Sequence, residues 1–242
     1  MSEWQNKNIL ITGASSGIGL ALVKKALAEQ ACVSAFSRSP CHELQALNTD
    51  SLLLTRGDVS NREDVARCIQ STLMQFKTID VVINNAGAMY YMDITQPDYQ
   101  QMKTMIETNC FGFINLVQEA LPALLQTSQG HWINITSDAG KRPFPGLAVY
   151  SGTKAFVEFS ASAMRQELIK HNIKITNIQP GNVQTSLHTK STQTKAIAQY
   201  GTTNAGQYLS TNDIVNAVSY ALSTPFQVAV NEILIEPFAE SI

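Results

Sequence analysis

The stretch NILITGASSGIG, from Asn8 to Gly19, with LALVKKALAEQ running on to Gln30, decides the fold. A short apolar run ends at Thr12, a glycine-rich turn follows, and Ile18, Leu22, Ala26 and Leu27 then recur at helical spacing. That is a strand, a tight turn and a helix that covers the strand. Outward from it the alternation repeats, with strands expected at Asn8 to Thr12, Cys32 to Ser37, Ser51 to Arg56, Asp80 to Asn84, His131 to Thr136, Lys174 to Gln179 and Val230 to Ile235. Arg62 to Phe76 carries Val65, Ile69, Leu73 and Phe76 as a second covering helix, with Ser60 and Glu63 spaced as a capping box that leaves Asp58 free for another role. Asp98 to Leu124 reads as a long helix that Gly112 or Pro122 bends or ends, and Thr211 or Asn212 caps a last helix through Ile214, Val215, Val218 and Leu222. Short strands alternating with amphipathic helices predict an α/β chain: one domain over residues 1–242, with a doubly wound, mostly parallel seven-stranded sheet and helices on both faces.

Composition agrees and narrows the partners. With 242 residues, 44% of them apolar and 15% charged, the chain can bury one large core. Seventeen Lys and Arg against nineteen Asp and Glu leave a formal charge of −2, too balanced for gripping a phosphate backbone, so no nucleic acid partner is expected. The apolar run at Ile9 to Ile11 is too short for a signal or a membrane span, which predicts a soluble, cytoplasmic protein with no membrane partner. Cys32, Cys41, Cys68 and Cys110 form no C-x-x-C pair, and His42, His131, His171 and His188 form no ligand cluster, so no catalytic metal is expected.

The chemistry gathers at strand ends. Gly13, Gly17 and Gly19, with Ser15, Ser16 and Ile18 between and beside them, sit where backbone amides can approach a pyrophosphate at a helix N-terminus, although the spacing is G-x-x-x-G-x-G. The second strand ends Phe36-Ser37-Arg38 where an acid would bind a ribose hydroxyl; Arg38 instead offers a charged fork for a 2′-phosphate, with Ser37 and Ser15 as hydroxyl donors, so NADP(H) is preferred over NAD(H). Tyr150 and Lys154 stack on one helical face, where an ammonium beside a phenol favours its ionised form. Ser137 ends the strand before them. Residues 182–209 have few periodic apolars, a length that predicts a substrate lid. Lys141 and Arg142 could attract an acid or simply face water.

In order along the chain, Thr12-Gly13-x-x-x-Gly17-x-Gly19, Asp58-Val59, Asn84-Asn85-Ala86-Gly87, Asn109, Ser137, Tyr150-x-x-x-Lys154 and Pro180-Gly181 resemble the short-chain dehydrogenase/reductase family over nearly the whole length. The resemblance implies a Rossmann-type domain. It implies Tyr150 as general acid/base, Ser137 holding the substrate oxygen, Lys154 lowering the phenol pKa and bonding the nicotinamide ribose, and Asn109 anchoring a water that supplies protons. Asp58 and Val59 would contact adenine, and Asn85, Ala86 and Gly87 would line the adenosine ribose. Pro180, Gly181, Val183 and Thr185 would border the nicotinamide, with Thr185 reaching its amide. The acid expected of NAD-dependent members is absent. The implied protein is an NADP-dependent reductase of a small carbonyl or alcohol, assembled as a homodimer or homotetramer. The alternative is a non-catalytic redox sensor of the same fold.

Overall fold

The computed structural model describes residues 2–47, 49–201 and 208–239. Seven strands form one sheet, β1 Asn8–Thr12, β2 Cys32–Ser37, β3 Leu52–Arg56, β4 Val81–Asn84, β5 Gly130–Ile135, β6 Ile173–Pro180 and β7 Glu232–Ile235. Their spatial order is β3-β2-β1-β4-β5-β6-β7, and every pairing is parallel rather than mostly so. The order reverses between β1 and β4, which opens a crevice at the carboxyl ends of those two strands.

Both faces of the sheet are covered, so the central strands are apolar on both sides. Ile9, Ile11, Val33 and Ile83 pack with Leu22 and Val23 of α1 (Gly17–Ala28) and with Ile214 and Val218 of the C-terminal helix, Thr211–Ser223. Their neighbours Leu10, Phe36, Val82 and Trp132 face the other way, onto the helices Arg62–Phe76, Gly112–Leu124 and Ala148–Leu168. Through this second layer runs a row of side-chain amides. Asn84, Asn134 and Asn177 are register partners on β4, β5 and β6, and Asn84 donates to Asn134 at 3.1 Å while Asn134 donates to Asn177 at 2.9 Å.

The helices in chain order are α1, α2 (His42–Gln45), α3 (Arg62–Phe76), α4 (Tyr99–Ile106), α5 (Gly112–Leu124), α6 (Ala148–Leu168), α7 (Thr194–Tyr200) and α8 (Thr211–Ser223). Two caps differ from expectation. Asn61, not Ser60, caps α3, its side chain accepting from the amides of Glu63 and Asp64; Ser60 instead donates backbone and hydroxyl to Asp58 Oδ1. Asp58 is therefore a turn former as well as a candidate contact. Ser210, not Thr211 or Asn212, caps α8, in a reciprocal box with Asp213. The long helix is interrupted by neither Gly112 nor Pro122: a π-helical turn, Glu107–Phe111, separates α4 from α5, and Pro122 is accommodated inside α5. No helix among the described residues is long and apolar enough to cross a membrane.

His131 on β5 is buried and shares a 2.8 Å hydrogen bond with Thr176 Oγ1. Burial, helped by the charges of Lys174 and Lys7, pushes its pKa from 6.5 down to about 3. Between those values an unfolded imidazole takes up a proton that the folded one refuses, so stability is lost as pH falls through that window. His131→Gln removes the titration, and denaturation near pH ~4 is expected to find the variant's acid loss smaller by about 3 kcal/mol. An unchanged acid limb would place the sensitivity elsewhere.

Candidate active site

The glycine turn lies at the crevice. Gly13 and Gly17 adopt φ of +66° and +55°, which L side chains rarely do. The turn is tied to β4 by Asn85, whose Nδ2 donates to Thr12 O at 2.8 Å, while Thr12 Oγ1 accepts from the amides of Asn85 and Ala86, both at 3.0 Å. The Asn85 side chain thus holds the turn rather than projecting toward a ribose. Ser16 starts α1 without a side-chain cap, and the first turn carries no acidic residue. The first amides of α1 are open to an anion, so the turn suits a pyrophosphate. Ser15 and Ile18 flank it, and Gly17 lies beneath Thr185: a Cβ added there would sit 3.3 Å from Thr185 Cγ2. Val183 pairs with Leu209 in an isolated parallel bridge, and Gly181, just past Pro180, donates to Ile235 O at 2.8 Å.

At the outer end of the crevice, Arg38 is half exposed and stands 3.6 Å from Asp58 Oδ2. Ser37 donates its hydroxyl to Ser39 O at 2.8 Å. A second guanidinium belongs to this corner: Arg56, the register partner of Ser37, donates Nε to Arg38 O at 3.0 Å. Sequence reading missed Arg56 because parallel pairing, not chain proximity, brings it there. Val59 is buried against α5, its carbonyl accepting from Asn115 at 2.9 Å.

The residues expected to react converge at the ends of β4 and β5. Tyr150 and Lys154 lie in the first turns of α6 and are both buried, with Lys154 Nζ 5.6 Å from the centre of the phenol ring. Lys154 donates to Ile135 O at 3.1 Å, and a Cβ on Gly87 would lie 3.6 Å from its Nζ. Asn109 occupies the π turn. Its Oδ1 accepts from Ala88 N at 2.8 Å, and its Nδ2 donates at 2.9 Å to both Ala88 O and Thr153 Oγ1. Both amide hydrogens are thereby spent on holding the β4 loop against α6. Ser137 donates to Asp138 Oδ1 at 2.8 Å and neighbours the Tyr150 hydroxyl, which its hydrogen bond helps to hold down in pKa.

The electrostatics depart from expectation. Burial pushes the Tyr150 phenol well above its ordinary value, and Asp138 and Tyr91 push the same way; Lys154 does not reverse this. Burial also pushes Lys154 from 10.5 down to about 8, against the opposing pull of Glu158 and Cys110. The cost of charge in a dry site outweighs the attraction between the pair.

A model of the family described as short chain dehydrogenase matches residues 7–196. The chain belongs to the short-chain dehydrogenase family. It is 36% identical, over 98% of its own length and all of the relative's, to an uncharacterized oxidoreductase of Staphylococcus aureus. It is 35% identical, over 98% of its length, to part of a glycine betaine reductase of Emericella nidulans, of which it spans 19%. Among solved structures, a closed serine dehydrogenase complexed with NADP+ superposes with a TM-score of 0.87 at 30% identity, covering 97% of this chain and 96% of that one.

In this short-chain dehydrogenase the segment expected to form a lid is partly structured. Within 182–209, a 3-10 turn (His188–Lys190) and α7 were not foreseen; residues 202–207 lie outside the described ones. Ser191 Oγ accepts from Tyr91 N at 2.9 Å, Thr192 Oγ1 from Gln101 at 2.5 Å, and Gln193 donates to Gln96 O at 2.9 Å. Tyr200 packs on Gly146, where a Cβ would come within 2.6 Å of the ring. Lys141 bonds Glu232 at 2.8 Å and Arg142 pairs with Glu236, so these two cations are already engaged with protein carboxylates.

Proposed function

We propose that this oxidoreductase transfers hydride between NADP(H) and a small carbonyl or alcohol, with Tyr150 as the proton donor and acceptor. The convergence of Tyr150, Ser137 and Lys154 on one buried point at the end of β5 carries the reading. NADPH supplies the hydride when bound. The glycine turn at Gly13, Ser15, Ser16, Gly17, Ile18 and Gly19 would hold its pyrophosphate, Asp58, Val59, Ala86 and Gly87 its adenosine half, and Pro180, Gly181, Val183 and Thr185 its nicotinamide half. Tyr150 gives its proton to the oxygen that becomes the alcohol, and Ser137 holds that oxygen. Lys154 keeps a positive charge beside the developing alkoxide. Asn109 positions the Lys154 neighbourhood through Ala88 and Thr153, and a proton-supplying water would be left to its main chain. The segment 182–209 acts as the substrate lid.

The preference for NADP(H) rests on the two guanidiniums of Arg38, after β2, and Arg56, at the end of β3, with no acid on the tip of β2 itself to take a ribose hydroxyl. NADPH is expected to bind more tightly than NADH, and Arg38→Ala to shrink the gap by roughly tenfold or more. Equal affinities in the unmodified protein would refute the preference. A panel of aldehydes and ketones followed by NADPH absorbance tests the reaction itself; tight NADPH binding with no turnover across it would favour a sensor. Exposed Phe111, Ile114, Phe156 and Phe159 on α5, α6 and the π turn form the face through which two copies would pair. Sedimentation as a monomer at working concentration would remove that assembly.

A further inference from the structure

Asp138, next in the chain after Ser137, is used by none of the steps above. It is 6% exposed, and its Oδ1 accepts both the Ser137 hydroxyl and the Ala139 amide at 2.8 Å. No cation stands within 4 Å of it among the described residues, and the charge of Arg142 reaches it only at longer range. We propose that Asp138 selects the substrate: a ketone or aldehyde, or the matching alcohol, bearing an ammonium or quaternary ammonium group within one or two carbons of the reacting carbon. The assignment rests on the carbonyl reductase reading and specifies its substrate class.

Three observations carry it. The first is charge. The cations of the neighbouring loop are engaged, Lys141 with Glu232 at 2.8 Å and with Glu158 at 3.8 Å, and Arg142 with Glu236. Counting Lys154, three cations face four carboxylates, and Asp138 is the acid with no cation in contact among the described residues. A carboxylate largely removed from water with its counter-charge only at a distance is costly, and a cation on the substrate relieves that cost. An acidic substrate would add to it.

The second is the wall. Tyr91 is buried beside Tyr150, and Tyr90, Phe144 and Tyr200 pack into the same cluster. Aromatic faces attract cations, and quaternary ammonium groups in particular. The third is the hydrogen bond itself. The Ser137 hydroxyl bonds Asp138 and also faces the Tyr150 phenol, so in the free site Asp138 competes for its one proton. A cation neutralising Asp138 weakens that hold and lets Ser137 turn its proton to the carbonyl, so that charge recognition and oxygen binding occur together. The 2.8 Å length of that bond sets the reach: the positive group must stand near the carbonyl it accompanies.

The test compares acetonyltrimethylammonium with methyl neopentyl ketone, which have the same shape and differ by one charge. With NADPH, kcat/KM is expected to favour the cation by roughly tenfold or more, and Asp138→Asn to bring the ratio to within about threefold while Asp138→Glu keeps the preference. Because the readout is a ratio, a general loss of activity in a variant does not mimic the result. A ratio near one in the unmodified protein, or one that survives in Asp138→Asn, overturns the assignment. Calorimetry of acetonyltrimethylammonium on the protein with NADP+ separates the two readings. Binding that Asp138→Asn abolishes, with neither ketone reduced, upholds the cation site and removes the reductase. Reduction of the neutral ketone without binding of the cation does the reverse.

Discussion

Tyr150→Phe is expected to lower kcat for carbonyl reduction by about a thousandfold while leaving NADPH affinity within about threefold. The substitution deletes one oxygen and keeps the ring, which is buried among Ala88, Tyr91, Met92 and Leu147. The apolar packing therefore survives. What is lost is the proton donor beside Ser137, and the Thr153 hydroxyl does not replace it, since it donates to Tyr150 O at 2.7 Å. The phenol's raised pKa strengthens this expectation, because a buried phenol stays protonated across the working range and is loaded as an acid before reduction. The group that titrates in that range is Lys154, near 8, so the alkaline limb of the profile for reduction should lie there as the ammonium is lost. Stopped-flow turnover and fluorescence titration of NADPH check both halves. A variant that keeps most of its turnover would remove Tyr150 from the chemistry.

Gly19→Ala should be the second large effect. A Cβ on Gly19 would stand 2.6 Å from Asn85 Nδ2 and closer still to the Gly13 carbonyl. The obstructing groups are a backbone oxygen and an amide already bonded to Thr12 O and Gly13 O, so neither can step aside without moving the turn. Overpacking of this kind costs about 1–3 kcal/mol of stability. The same displacement misaligns the amides at the start of α1, and NADPH affinity should fall by roughly a hundredfold. Gly152→Ala in α6 is the control: no atom lies within 4 Å of the added Cβ, and helix propensity predicts a gain of up to about 1 kcal/mol. Unchanged NADPH binding in Gly19→Ala would mean that the pyrophosphate lies elsewhere.

Much of this was readable in the order of residues. All seven strands lie within two residues of their expected ends, because buried parallel strands are short apolar runs between breakers. What escaped was decided by geometry across the chain. Asn61 and Ser210 won their caps over adjacent residues of equal capping ability, a choice made by backbone angles. The π turn at Asn109 adds no apolar signal, since a single bulge leaves the pattern on either side intact. In α7 only Ala196 is buried, too little for a periodic stripe. The direction of the Tyr150 shift needed burial, which spacing does not report, and the pairing of Lys141 and Arg142 with Glu232 and Glu236 joins residues far apart in the chain.

The row of amides from Asn84 through Asn134 to Asn177 has a bearing on how such a sheet avoids misassembly. Parallel strands lack hairpins to align them, and apolar runs of similar size can slide past one another with little change in buried area. Displacing β5 by one residue would bring apolar neighbours opposite the amides of β4 and β6 and strand polar groups in a dry interior. The three asparagines thus act as a checksum on the central strands: wrong alignments are penalised before the crevice at their ends can form.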